Sequence, residues 1–162
     1  MSRIEVSIDI NVPSDKVWDA LTDIMLIPEW IEKLSIVSFT EPPRVGGFYT
    51  WTYKMAGIFS LEGRTTYTKV EPGVCLEHDN DGSMSSHWEW RLSPQGGATR
   101  TTCIIEYTLP GALAGRVVDK LVVEPQNQKD AERGLARLKE LTEQSHPFVR
   151  NRHPSAPAQA TP

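Results

Sequence analysis

Residues 3–12 read R-I-E-V-S-I-D-I-N-V, with Ile4, Val6, Ile8, Ile10 and Val12 alternating against Glu5, Ser7, Asp9 and Asn11. A strict period of two predicts a strand with one face on a core and the other in water. It also sets a rule for the chain: on each strand the apolar parity faces inward, and a slip of one residue inverts the face. Pro13 ends the run, and Ser14 is placed to cap a helix beginning at Asp15, whose carboxylate suits the positive end of the helix dipole. Val17, Trp18 and Leu21 follow at helical spacing, and a second short helix is expected over 24–31 with Pro28 near its first turn.

From Lys33 onward the pattern is strand and turn. Strands are expected at 34–41, 47–55, 58–70, 74–80, 85–93 and 99–109. Gly46-Gly47, Ala56-Gly57, Pro72-Gly73, Asp81-Gly82 and Gln95-Gly96-Gly97 separate most of them, which is turn chemistry. Successive strands on short turns imply an antiparallel meander. The period then changes. From 112 to 144, Leu113, Val117 and Leu121 fall four apart and Leu135, Leu138 and Leu141 three apart. That pattern predicts one long helix or a broken pair, because Pro125 removes a backbone donor. The chain therefore divides into one domain, 1–145, and a Pro-rich tail, 146–162, with little to bury and expected to be disordered.

Composition excludes several classes. A net charge of −4 and a pI near 5.6 argue against nucleic-acid binding. No apolar run reaches the ~18 residues of a membrane span, and the N-terminus lacks the apolar stretch of a signal peptide, so a cytoplasmic location is expected. Cys75 and Cys103 fall on opposite strand parities, which disfavours a disulfide, and Cys103 reads as a small hydrophobe. His78, His87, His146 and His153 stand at no familiar zinc spacing, so no metal is expected. Absence of G-x-S-x-G, P-loop, G-x-G-x-x-G and H-E-x-x-H patterns leaves no cofactor to expect.

Several stretches resemble one family. V-P-S-D-K-V-W-D-A-L-T-D (12–23) with P-E-W (28–30), V-G-G-F-Y (45–49), K-V-E-P-G (69–73), W-E-W-R-L-S-P (88–94) and I-E-Y-T-L-P-G (105–111) carry the likeness. Over about residues 3–144 the chain resembles the START-like (SRPBCC) superfamily, in its polyketide cyclase/dehydrase and lipid-transport branch. These motifs mark strands, turns and the first helix rather than chemistry. The resemblance implies an α+β helix-grip: a curved antiparallel sheet of about seven strands around a long C-terminal helix, with two short helices after the first strand. It also implies a cavity for apolar ligands. Members cyclise and dehydrate polyketides, carry lipids, or serve as chaperone partners.

Applying the parity rule, Tyr49, Trp51, Tyr53 and Met55 go in, as do Phe59, Leu61, Gly63, Thr65 and Tyr67. So do Leu76, His78, Trp88, Trp90 and Leu92, and on the last strand Thr101, Cys103, Ile105, Tyr107 and Leu109. All four tyrosines of the chain thus face inward. Buried phenols and indoles need partners, which a partly wet cavity supplies more readily than a dry core. The competing reading is plain packing, since aromatic residues favour strands. Outward go Glu62, Arg64, His87, Glu89, Arg91, Arg100 and Glu106, a solvated face able to form cross-strand charge pairs.

The expected partner is thus a small hydrophobic or aromatic molecule, polyketide- or lipid-like. Its candidate contacts are Tyr49, Trp51, Tyr53, Leu61, Tyr67, His78, Trp88, Trp90, Cys103, Ile105 and Tyr107, with Leu121 and Gln128 from the long helix. If the domain is a cyclase or dehydratase, His78 is the candidate base, with a hydrogen-bonded core or strand-end position near Asn80 as its alternative, and Tyr53 or Tyr107 the donor to a carbonyl or enolate. Glu124 is a further candidate on the helix, with a solvated position before Pro125 as its alternative. A non-catalytic carrier or sensor and a chaperone-activator-like module stay open, as do a monomer and a homodimer.

Overall fold

The computed structural model describes residues 1–40, 43–55, 59–108 and 120–145, without the side chains at 55, 59 and 120–124. Strand β1 (Ser2–Ile10) leads into α1 (Ser14–Thr22) and the one-turn α2 (Ile27–Trp30). There follow β2 (Leu34–Phe39), β3 (Phe48–Met55), β4 (Phe59–Glu71), β5 (Cys75–Gly82), β6 (Ser85–Gln95) and β7 (Ala98–Thr108). The long helix α3 (Lys120–Ser145) comes last. The strands form one curved antiparallel sheet in the order β1-β7-β6-β5-β4-β3-β2. Six strands follow each other as a meander, and the first strand closes on the last, with Ile4 opposite Ile105 and Val6 opposite Cys103.

Helix α3 packs against β1, α1 and α2, and buries Leu135 and Leu138 in the core. Polar ties hold it there. Lys139 donates to the Asp9 carbonyl at 2.6 Å, and the Asn11 N–H donates to Glu143 at 2.8 Å. On the α2 side, Arg133 and Arg137 both reach Glu32. Gly134 permits the close approach: a Cβ there would stand 3.3 Å from the Trp30 carbonyl.

The inward parity of β1 is as read, with Ile4, Val6 and Ile10 buried and Glu5, Ser7 and Asp9 exposed. Local chemistry differs from expectation in places. Pro13 rather than Ser14 occupies the position before α1, and no side chain caps the helix. Helix α2 is shorter than 24–31, because residues 24–26 form turns. Asp81 and Gly82 belong to β5, and the β5–β6 turn lies at Ser83 and Met84. In β4 the register shifts between Tyr67 and Lys69. This bulge swaps the parity, so that Val70 rather than Lys69 continues the inner face, opposite Leu76. Helix α3 continues through Pro125 as one helix over the residues described. The Ala56-Gly57 turn, residues 109–119 and the tail lie outside the described residues.

The outer face balances its charges in pairs. Arg100 binds both carboxylate oxygens of Asp9 at 3.2 Å, and Arg3 approaches Glu106 at 3.8 Å. Arg91 binds Glu89 along the same strand rather than across strands. Arg64 lies 3.6 Å over the Phe48 ring, a cation–π contact. His87 is half-buried against Asp79 at 2.6 Å.

Candidate functional site

Antiparallel register sorts the inner face into rows running across the strands. One row is Tyr49, Thr65, Asn80, Ser86 and Tyr107, each opposite the next. The row beside it is Tyr67, His78, Trp88, Ile105 and Ile4. A third holds Leu76, Trp90, Cys103 and Val6. The second and third rows form the aromatic wall. Tyr67 meets His78 edge-on, His78 stacks on Trp88 with centroids 5.6 Å apart, and Trp30 meets Trp90 edge-on at 5.6 Å.

The first row is polar and joined by hydrogen bonds. Trp51 Nε1 donates to Thr65 Oγ1 at 3.0 Å, and the same hydroxyl acts on the nearby Tyr49 phenol. Thr65 in turn donates to Asn80 Oδ1. Asn80 Nδ2 donates to Ser86 Oγ at 2.9 Å, and Trp88 Nε1 donates to that oxygen at 3.1 Å. Gly63 makes the Trp51 contact possible. It pairs with Trp51, and a Cβ on it would stand 2.4 Å from the indole and 2.8 Å from the Asp81 carbonyl. The missing side chain is what lets the indole lie flat across β4.

Between these rows, α2 and α3 is a cavity of about 180 Å³. Tyr49, Trp51, Tyr53, Leu61, Tyr67, His78, Trp88, Trp90, Cys103, Ile105 and Tyr107 all line it. Helix α3 presents small residues, Ala131 and Gly134, to the space, which keeps the helix from filling it. Glu32, Lys33, Asp130 and Arg133 complete the lining with charge. Tyr53 belongs with that charged group: its phenol is raised by burial first and then by Asp130. Lys33 adopts a left-handed backbone (φ 68°) at the start of β2, a conformation that costs a non-glycine residue on the order of 1 kcal/mol.

Burial decides protonation inside. The Tyr49 phenol is pushed up to about 12 by burial, with Thr65 opposing. Tyr67 is raised further, by burial and by Tyr49, and burial raises the Cys103 thiol well above its ordinary value. His78 is lowered to about 3, by burial first and then by His87. Of the two sequence readings of His78, a base near neutrality and a core residue near Asn80, burial favours the second and holds the ring as a neutral imidazole. The three acid–base candidates do not form one cluster. His78 and Tyr107 are buried in adjacent rows, whereas half-buried Tyr53 stands four residues along β3 from the polar row.

Gln128 does not reach the cavity. It donates to Glu132 at 2.9 Å and borders a separate surface depression with Ser2, Arg3 and Tyr107. The side chains of Leu121 and Glu124 lie outside the described residues. Reading from sequence passed over Asn80 and Ser86 as site residues, although both carry the inward parity of His78 and Trp88. Both stand at the ends of their expected strands, beyond the apolar residues from which the inward parity is read. Among the described residues one cluster has ligand atoms close enough for a metal: Cys75, Glu77 and Glu89 on the outer-parity side, within 4.8 Å of one another. Lys69 and Arg91 already neutralise those carboxylates.

The sequence profile of the polyketide cyclase / dehydrase and lipid transport family matches residues 1–143. The chain belongs to that family. Solved structures share its fold at low identity. TTHA0849 from Thermus thermophilus is 16% identical, with a TM-score of 0.76, over 90% of this chain and 99% of that one. A conserved protein from Geobacillus kaustophilus is 14% identical, with a TM-score of 0.71, over 89% and 97%. NE0264 from Nitrosomonas europaea is 19% identical, with a TM-score of 0.68, over 88% and 95%. No curated protein matches the chain. The family thus brings a hydrophobic-ligand-binding fold. No helix among the described residues is long and apolar enough to cross a membrane.

Proposed function

We propose that this domain binds one small, uncharged, largely apolar or aromatic molecule in the cavity between sheet and α3, as a carrier or sensor. The observation that carries this reading is a cavity of about 180 Å³ walled by Tyr67, Trp88 and Trp90. A void of about 150 Å³ lined by apolar side chains already admits benzene. The volume therefore suits a molecule of one or two rings better than a long folded polyketide chain. Turnover as a cyclase or dehydratase is less well supported, because it asks for a base poised near neutrality, and His78 is held far below that. A chaperone-like module with a self-filled interior fits poorly with an open cavity.

Filling the cavity tests this directly. Ala131→Phe adds a ring where α3 faces the cavity. It should weaken binding of the neutral two-ring fluorescent probe 2-methoxynaphthalene at least tenfold while the far-ultraviolet circular dichroism stays unchanged. Trp88→Ala should weaken the same probe by removing cavity wall. Undiminished affinity in both folded variants would sink the reading.

A further inference from the structure

Two indoles outside the polar row, Trp51 and Trp88, bond into it, and an indole can only donate. Ser86 Oγ accepts from Asn80 and from Trp88, so both of its lone pairs are occupied. Its own proton is left over, and no acceptor within hydrogen-bond range is found for it among the described residues. Tyr107 stands opposite Ser86 in register. Its hydroxyl is buried without a protein partner; His78 Nδ1 in the next row makes no well-formed hydrogen bond either, although the Asn80 side chain is near enough to act on the ring. All three residues are more than nine-tenths buried, and all three line the cavity. Buried polar groups without partners are rare in native interiors and each calls for a reason. Among the described residues four buried side-chain polar atoms lack a partner, Trp30 Nε1, His78 Nδ1, Thr101 Oγ1 and Tyr107 Oη; three of these residues line the cavity, where the spare Ser86 proton also lies.

We propose that Ser86 and Tyr107 form a subsite for a hydrogen-bond acceptor, the carbonyl of a ketone, quinone or ester, carried on an otherwise apolar and uncharged ring system. This rests on the cavity-binding reading above and adds the chemistry of the ligand's polar group. Ser86 and Tyr107 face each other across neighbouring strands and line one cavity, so both hydroxyls can donate to one carbonyl oxygen, which has two lone pairs. His78 Nδ1 beside them takes a second polar group on the same ligand. A carboxylate or an amine is excluded from this end by desolvation, since the charged lining groups are Glu32, Lys33, Asp130 and Arg133, none of which lies in the polar row or the row beside it. A purely hydrocarbon ligand would leave the donors unmatched.

A matched pair of probes tests this: 1-tetralone and tetralin, the same two fused rings with and without a carbonyl. Binding to the full chain is measured by calorimetry. Wild type should bind the ketone at least as tightly as the hydrocarbon, although water solvates the ketone better. Tyr107→Phe should weaken tetralone about tenfold, the equivalent of one hydrogen bond, and leave tetralin within about twofold. The bound ketone's C=O stretch, lowered in the wild-type complex, should move back up in the variant. Ser86→Ala, read against tetralin in the same way, is the second arm should Tyr107→Phe fail to fold. If tetralin binds more tightly and neither substitution discriminates the two probes, the carbonyl subsite is wrong and the cavity-binding reading stands. Equal weakening of both probes means packing alone and overturns the subsite. If neither probe binds, both readings fall.

Discussion

His78 and His87 lie on neighbouring strands, each one register position from the other's partner: His78 faces Trp88 and His87 faces Asp79. The pleat sends them to opposite sides of the sheet. On the outside, His87 is bound by Asp79 at 2.6 Å and approached by Glu77 at 3.8 Å, both in reach of water. On the inside, His78 is buried, stacked on Trp88, and without a well-formed hydrogen bond at Nδ1. A polar group on the outer face can be matched by any mobile charge nearby, and each pair is worth little. Inside, every hydrogen bond must be arranged within the sheet, and a missing one exposes a desolvated group. The contrast separates a solvated face, where one partner can replace another, from an inner face where a missing partner is costly.

The largest expected effect lies in the polar row. Asn80→Ala removes the link between Thr65 and Ser86 and should cost about 3 kcal/mol in urea unfolding, because several buried partners lose their contacts together. Should it cost no more than an outer-face substitution, the contrast between the faces collapses. Next comes the response to acid. The folded pKa of His78, about 3, lies below its ordinary 6.5, so the unfolded chain takes up the proton first as pH falls. Stability on this account is complete above about pH 6.5 and declines by about 1.4 kcal/mol per pH unit down to about pH 3. His78→Phe should flatten that slope relative to wild type; parallel slopes would mean that His78 is not buried as a neutral ring. On the outer face, Asp79→Asn should cost less than about 1 kcal/mol, and less again in high salt. A larger or salt-independent loss would make the outer pair structural. Smallest of all, Tyr107→Phe should leave the unfolding midpoint unchanged or slightly higher, since its hydroxyl has no protein partner to lose. A drop of more than about 1 kcal/mol would reveal a partner and remove one of the two subsite donors.

Much of this was legible in the residues. Alternation at 3–12 and the turn residues between strands foretold seven strands and their parity, because period two and turn propensity are local properties. The bulge at 67–69 was not legible. It arises where two strands must match registers, and nothing in T-K-V marks it. Ser14 does not cap because the helix begins one residue early, and Pro13, extended and without a side-chain hydrogen bond, takes the preceding position. Gln128 was extrapolated from Leu121 along an ideal helix, but it bonds Glu132 and turns to the N-terminal edge of the sheet.

By itself the sequence determined which side of each strand is apolar, the order of the elements and the aromatic character of the inner face. All of these follow from the chemistry of residues near one another in the chain. Only the tertiary structure decided that Thr65, Asn80, Ser86 and Tyr107 share a row, that Gly63 clears the way for Trp51, and that Ala131 and Gly134 leave a space unfilled. Those facts depend on register across strands and on where a helix distant in sequence comes to rest. Turn lengths, bulges and packing set these, and no local pattern carries them.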